Sequence, residues 1–122
     1  MGSIVKEKSY RFAVRIVKLY QYLSEEKREY VISKQMLRSG TSIGANVREG
    51  LQGQSKADFT AKMSIALKEA SETDYWLELL RDTGYLSDGE YDSINRDCIE
   101  LAKMLTSIVK TSRDQRKSKK VL

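Results

Sequence analysis

Residues 39–50 read S-G-T-S-I-G-A-N-V-R-E-G, with three glycines, two serines and a threonine in twelve positions. Such a stretch can be a phosphate-cradling loop, a flexible linker or a helix built from small residues. A phosphate loop needs G-x-x-x-x-G-K-[ST] between a strand and a helix. Here neither Gly44 nor Gly50 is followed by Lys, and no G-x-G-x-x-G occurs. A linker has no apolar phase, yet Ile43, Val47 and Leu51 step by four, and Met36 lies seven before Ile43. That spacing predicts a helix through the segment. Gly40 and Gly44 then sit one turn apart, flanked by Ser39, Ser42, Ala45 and Asn46, and this missing bulk lets a second backbone approach closely. Two interior glycines cost ~1 kcal/mol each relative to alanine, so packing or hydrogen bonds must offset them. The plainer alternative is a locally irregular helix without such a contact.

Working outward, the same periodicity predicts three more helices. The first covers roughly Ile4 to Leu23, with Phe12, Ile16, Leu19 and Leu23 at steps of 4, 3 and 4 and a second apolar set of Ala13, Val17 and Tyr20. The stripe is wider than one neighbour requires. The second helix begins near Glu29, and Gly50 or Gly53 is expected to end it with a left-handed cap. The third opens on Ser55 with Asp58 at N3, runs through Phe59, Met63, Ala66, Ala70, Thr73, Leu77 and Leu80 as a heptad seam, and stops at Gly84. The fourth opens on the capping box Ser87-Asp88-Gly89-Glu90 and continues through Tyr91, Ile94, Cys98, Leu101, Leu105 and Ile108. Short connections make neighbours antiparallel. The expected fold is all-α, an up-down-up-down antiparallel four-helix bundle. The expected division is a bundle over residues 1–112 and a basic, flexible tail over 113–122.

The chain has 122 residues, no histidine, no proline and one cysteine, Cys98. A lone cysteine in an apolar seam reads as a small buried hydrophobe. Without histidine the commonest general base and metal ligand is missing, and no Glu-x-x-His pair exists for a di-iron bundle. Ser3-Ile4-Val5-Lys6 matches S-x-x-K but lacks its companion motifs. The expectation is therefore a protein that is not an enzyme and takes no cofactor or metal. No apolar run is long enough for a membrane span and no signal-peptide pattern opens the sequence, so the expected location is the cytoplasm.

The net charge of +5 lies in the last thirteen residues; residues 1–56 are net basic and residues 57–109 net acidic by the same amount. Opposite halves attract, within one molecule or between neighbours. Lys8, Arg11, Arg15 and Lys18 step 3, 4 and 3 along one face of the first helix, and Arg113, Arg116, Lys117, Lys119 and Lys120 crowd the tail. Both groups are candidate nucleic-acid contacts. Their plainer readings are a solvated face and a solubilising end. Ser39, Ser42, Asn46 and Glu49 share a face with Arg48 nearby, while Glu69, Glu72 and the Trp76 indole lie on the third helix. Arg48 or Asn46 is expected to meet one of those carboxylates, forming a polar network of Arg48, Glu49, Glu69 and Glu72.

The residues S-G-T-S-I-G-A-N-V-R-E-G, followed by S-K-A-D-F and I-A-L-K-E-A-S-E-T-D-Y-W-L-E-L-L, resemble the bacterial four-helix-bundle family named for proteins encoded in intervening sequences of 23S rRNA genes. The resemblance covers nearly the whole chain. It implies the bundle fold and, through the related accessory variability determinants of diversity-generating retroelements, which form pentamers, a homo-oligomeric ring. Those relatives bind nucleic acid and a reverse transcriptase through basic surfaces. The leading expectation is thus a non-enzymatic oligomer that binds RNA or DNA electrostatically. The alternative is a scaffold that docks a partner protein such as a reverse transcriptase, without touching nucleic acid.

Overall fold

The structure is a computed structural model that describes the backbone of residues 2–121 and the side chains of residues 4–115. Four helices account for it: α1 (Gly2–Glu25), α2 (Ile32–Leu51), α3 (Lys56–Asp82) and α4 (Asp88–Val121). There is no strand among the described residues. Each helix packs on the next in sequence, α1 returns to α4 along a sparser seam, and the backbones of the diagonal pairs stay apart. This is the up-down-up-down bundle that the four apolar stripes predict.

The heptad seams account for the core. Val5, Phe12, Ile16 and Leu23 of α1 meet Met36, Ile43 and Val47 of α2, Met63, Ala66, Ala70, Leu77 and Leu80 of α3, and Ile94, Cys98, Leu101 and Leu105 of α4. On α4 the seam drifts near its end: Ile108 is only partly buried, while Val109 and Ser112 turn inward. A straight helix turns 3.6 residues per turn, so a 3.5-residue pattern rotates off the core line by one position after a few heptads.

The ends show which side chains stop and start the helices. Ser55 Oγ accepts from Asp58 N–H at 3.0 Å. Ser87 and Glu90 form the reciprocal box, with Glu90 N–H on Ser87 Oγ at 3.1 Å and Ser87 N–H on Glu90 Oε1 at 2.8 Å. Gly84 adopts φ 87° after α3, and the Tyr85 and Gly84 N–H groups return to Leu80 and Arg81 carbonyls. This is the left-handed glycine cap expected there.

Two expected ends are corrected. Neither Gly50 nor Gly53 enters the left-handed region; α2 ends on Gln52 (φ −95°, ψ 0°), whose N–H bonds the Arg48 carbonyl. A right-handed last turn needs no glycine, and both glycines serve packing instead. α2 also starts at Ile32 rather than Glu29, because Glu29 is its cap. The Glu29 carboxylate accepts from the N–H groups of Val31 and Ile32 at 3.0 Å and of Ser33 at 2.6 Å. Arg28, at φ 55°, reverses the chain into this cap.

Candidate interaction surfaces

The small-residue segment is continuous α-helix, and its two sides serve two neighbours. A Cβ on Gly40 would lie 2.9 Å from the Ile16 side chain, and one on Gly44 would lie 3.3 Å from the Ser9 carbonyl oxygen. α1 therefore rests against bare backbone at both positions. Gly50 faces α3 instead, where a Cβ would come 3.1 Å from Lys62 Cβ. Between these contacts Ser39 is fully buried, and its hydroxyl lies 2.8 Å from Thr73 Oγ1 across the α2–α3 interface. Of the residues proposed for helix packing, the fold brings Ser39, Gly40 and Gly44 against neighbouring helices. Ser42 and Asn46 take a local role: Ser42 Oγ donates to the Arg38 carbonyl and Asn46 Nδ2 to the Ser42 carbonyl.

The expected polar network does not form as drawn. Arg48 lies over the Tyr10 ring at 5.1 Å, a cation–π contact with α1. Glu49 pairs with Lys62 at 2.9 Å, and Glu72 pairs with Arg38 at 2.8 Å while accepting from the Trp76 indole at 3.1 Å. Glu69 offers its backbone carbonyl to Thr73 rather than its carboxylate to Arg48. Arg48 and Arg38 are ten residues apart, so they point about 80° away from each other around α2, and the one turned toward α3 takes the acid.

The α1 row is largely committed within the molecule. Lys8 meets Glu100 at 3.0 Å, Arg15 meets Asp97 at 2.6 Å and Ser93 Oγ at 2.9 Å, and Arg11 pairs with Glu7. Among the described residues Lys18 alone of the four has no such acid. The Lys8–Glu100 and Arg15–Asp97 pairs lace the sparse α1–α4 seam, and each exposed pair contributes under ~1 kcal/mol. Of the predicted tail contacts, Arg113 is exposed on α4; Arg116, Lys117, Lys119 and Lys120 lie outside the described side chains.

A second basic row was missed. Arg96, Lys103 and Lys110 stand seven residues apart on α4, all exposed, and Arg113 follows three later. None has an ion-pair partner among the described residues. The signal was legible as a heptad of bases opposite the apolar heptad of the same helix.

Apolar surface remains uncovered on two diagonally opposite helices. α1 exposes Tyr10, Val14 and Val17, and α3 exposes Ile65 and Tyr75; α4 adds only Ile99 and α2 the terminal Leu51. At the pole where α4 passes the start of α3, an apolar cavity of about 390 Å³ opens between Val5, Leu51, Phe59, Met63 and Ile108, with Lys56, Thr111 and Gln115 at its mouth. Lys56 Nζ donates to Gln115 Oε1 at 2.8 Å. Cys98 is buried, and that burial, followed by the nearby Asp74 and Asp97 charges, pushes its thiol up to about 12. Among the described residues no acidic or cysteine cluster could hold a metal, and no helix is long and apolar enough to cross a membrane.

Comparison with known proteins agrees with this architecture. The family model described as 23S rRNA-intervening sequence protein matches residues 2–107. A crystal structure from Bacteroides thetaiotaomicron, described as a protein of unknown function from the S23 ribosomal protein family, is 60% identical; the match covers 89% of this chain and 97% of that one, with a TM-score of 0.88. No curated protein matches.

Proposed function

The chain belongs to the 23S rRNA-intervening sequence protein family, and from that premise we propose a non-enzymatic, homo-oligomeric bundle that binds RNA or DNA electrostatically. The observation that carries the nucleic-acid reading is the α4 ridge of Arg96, Lys103, Lys110 and Arg113, exposed and without acidic partners among the described residues. A straight row of unpaired cations meets phosphates without reading bases, so the expected binding is salt-sensitive and indifferent to sequence. The α1 bases are weaker candidates, because phosphate must first displace Asp97, Glu100 and Glu7.

The test is a fluorescence-anisotropy titration of unrelated RNA and DNA oligomers at roughly 50 and 200 mM salt, where several phosphate contacts change affinity by orders of magnitude. Lys103→Gln with Lys110→Gln should reduce the slope of log K against log salt by about 1 per lysine. An unchanged affinity and slope would remove the α4 ridge. No binding at low salt would leave the partner-protein scaffold, such as one for a reverse transcriptase, as the better reading.

Self-association is supported by the uncovered faces. Arg11 and Lys18 share α1 with Tyr10, Val14 and Val17, while on α3 the acids Glu72, Glu78 and Asp82 outnumber Lys68 beside Ile65 and Tyr75. Complementary faces on opposite sides of one protomer make a heterologous contact, which closes into a ring when the rotation fits. Val14→Asp places an unpaired charge in that contact. Light scattering should then give the monomer mass for the variant and a multiple of it for the parent. A monomeric parent at the same concentration overturns the ring.

A further inference from the structure

We propose that copies of this chain also dock end to end, with the Tyr30–Val31 turn of one copy seated in the apolar cavity at the opposite pole of the next. The two features lie at opposite ends of the rod. The turn joins α1 to α2, whereas the cavity opens where α2 ends and α3 begins. Both are unexplained by the bundle itself. Val31 is 74% exposed and Tyr30 48%, the most prominent apolar tip at that pole. This tip is held rigid: the Glu29 carboxylate ties down the Val31, Ile32 and Ser33 amides, and Glu29 N–H bonds the Leu23 carbonyl at 2.9 Å. A rigid apolar tip loses little entropy on docking, which is how anchor residues at interfaces work.

Charge names the occupant as a second copy. Around the tip the exposed acids Glu25, Glu26, Asp82, Asp88 and Glu90 outnumber the neighbouring bases Lys27, Arg28 and Lys34. Around the cavity the exposed bases Lys6, Lys56, Lys110 and Arg113 outnumber Asp58 and Asp114. The mouth ammonium of Lys56 rests on a neutral amide, Gln115, rather than on an acid. Opposite poles of one rod attract, so the contact is head-to-tail and uses surfaces other than the α1 and α3 faces.

Single cysteines decide the matter. Val31→Cys and Thr111→Cys are made in separate full-length chains, mixed, and oxidised with copper phenanthroline. Buried Cys98 stays out of the reaction. A disulfide needs Cα atoms within about 7 Å, and one rod separates its own poles by roughly 30 Å, so any 31–111 bond is intermolecular. The expected result is a mixed dimer that dominates over 31–31 and 111–111 products, fades as salt rises, and is lost when Tyr30→Asp is added to the first chain or Ser107→Phe fills the cavity of the second. Equal same-site products, or no mixed product at high protein concentration, overturn the proposal. A cavity that serves a free amphiphile would give no mixed dimer, and added decanoate would shift the Met63 methyl resonance. The outcome is independent of Val14→Asp, which separates this contact from the ring.

Discussion

Gly44→Leu is expected to destabilise the bundle by about 3 kcal/mol or more, lowering its melting temperature by roughly 10 °C. At this position a neighbour's backbone is the obstacle. The first added carbon would stand 3.3 Å from the Ser9 carbonyl oxygen, and a backbone inside a helix cannot turn aside as a side chain can. The three further carbons of leucine must push α1 away along its length, opening voids beside Phe12 and Ile16. Gly40→Leu should behave alike, since Ile16 would already touch the new Cβ at 2.9 Å. Gly44→Ala is the control. Its single methyl meets tight but tolerable contact, and the gain in helix propensity is ~1 kcal/mol, so the net change should be small. Thermal melts followed by circular dichroism settle it: an unaltered Gly44→Leu transition would mean that α1 and α2 do not lie this close.

Glu29→Ala is expected to cost about 2–3 kcal/mol, from charge-assisted hydrogen bonds to three helix amides. Burial by itself would raise the carboxyl above its ordinary 4.5, but the amides of Ile32, Ser33 and Val31 and the Ser33 hydroxyl outweigh it and hold the group lower. A carboxyl lowered by folding stabilises fully above its unfolded range, and that contribution is lost as pH falls through the folded value. The stability gap between the parent and Glu29→Gln, measured by urea melts, should therefore be wide at pH 7 and shrink as the pH falls below the ordinary carboxylate range. A gap that stays constant with pH would mean that the carboxylate charge is not what caps α2.

How far the sequence foretold this structure depended on the range of each interaction. The Ser55 and Ser87 caps, the Gly84 turn and the seam of Met63, Ala66, Ala70, Thr73 and Leu77 are set by neighbours within one or two turns, so spacing alone reveals them. The close approach at Gly40 and Gly44 was legible for the same reason: bare backbone one turn apart, within the unbroken apolar phase of Ile43 and Val47, leaves room for a neighbouring helix. Partners across the bundle were not legible. Whether Arg38 or Arg48 faces Glu72 depends on how far α2 is rotated about its axis, and Arg48 rests on Tyr10 because that rotation turns it toward α1. The α1 row has the spacing of a surface for phosphates, yet Glu100 comes to Lys8 from 92 residues away and Asp97 to Arg15 from 82. The spacing starts α2 near Glu29 because a cap that acts from two or more residues ahead has no fixed signature, unlike a serine at the first turn.

The light seam between α1 and α4 has a consequence for how the chain reaches this state. Nearly every pairing joins helices that follow one another along the polypeptide, so each requires closure of only a short loop, and the ends of the chain need find each other only late. Topologies dominated by such local pairing fold in microseconds to milliseconds. During synthesis the first hairpin can form while α4 is still being made, and the arrival of α4 completes a structure already largely assembled.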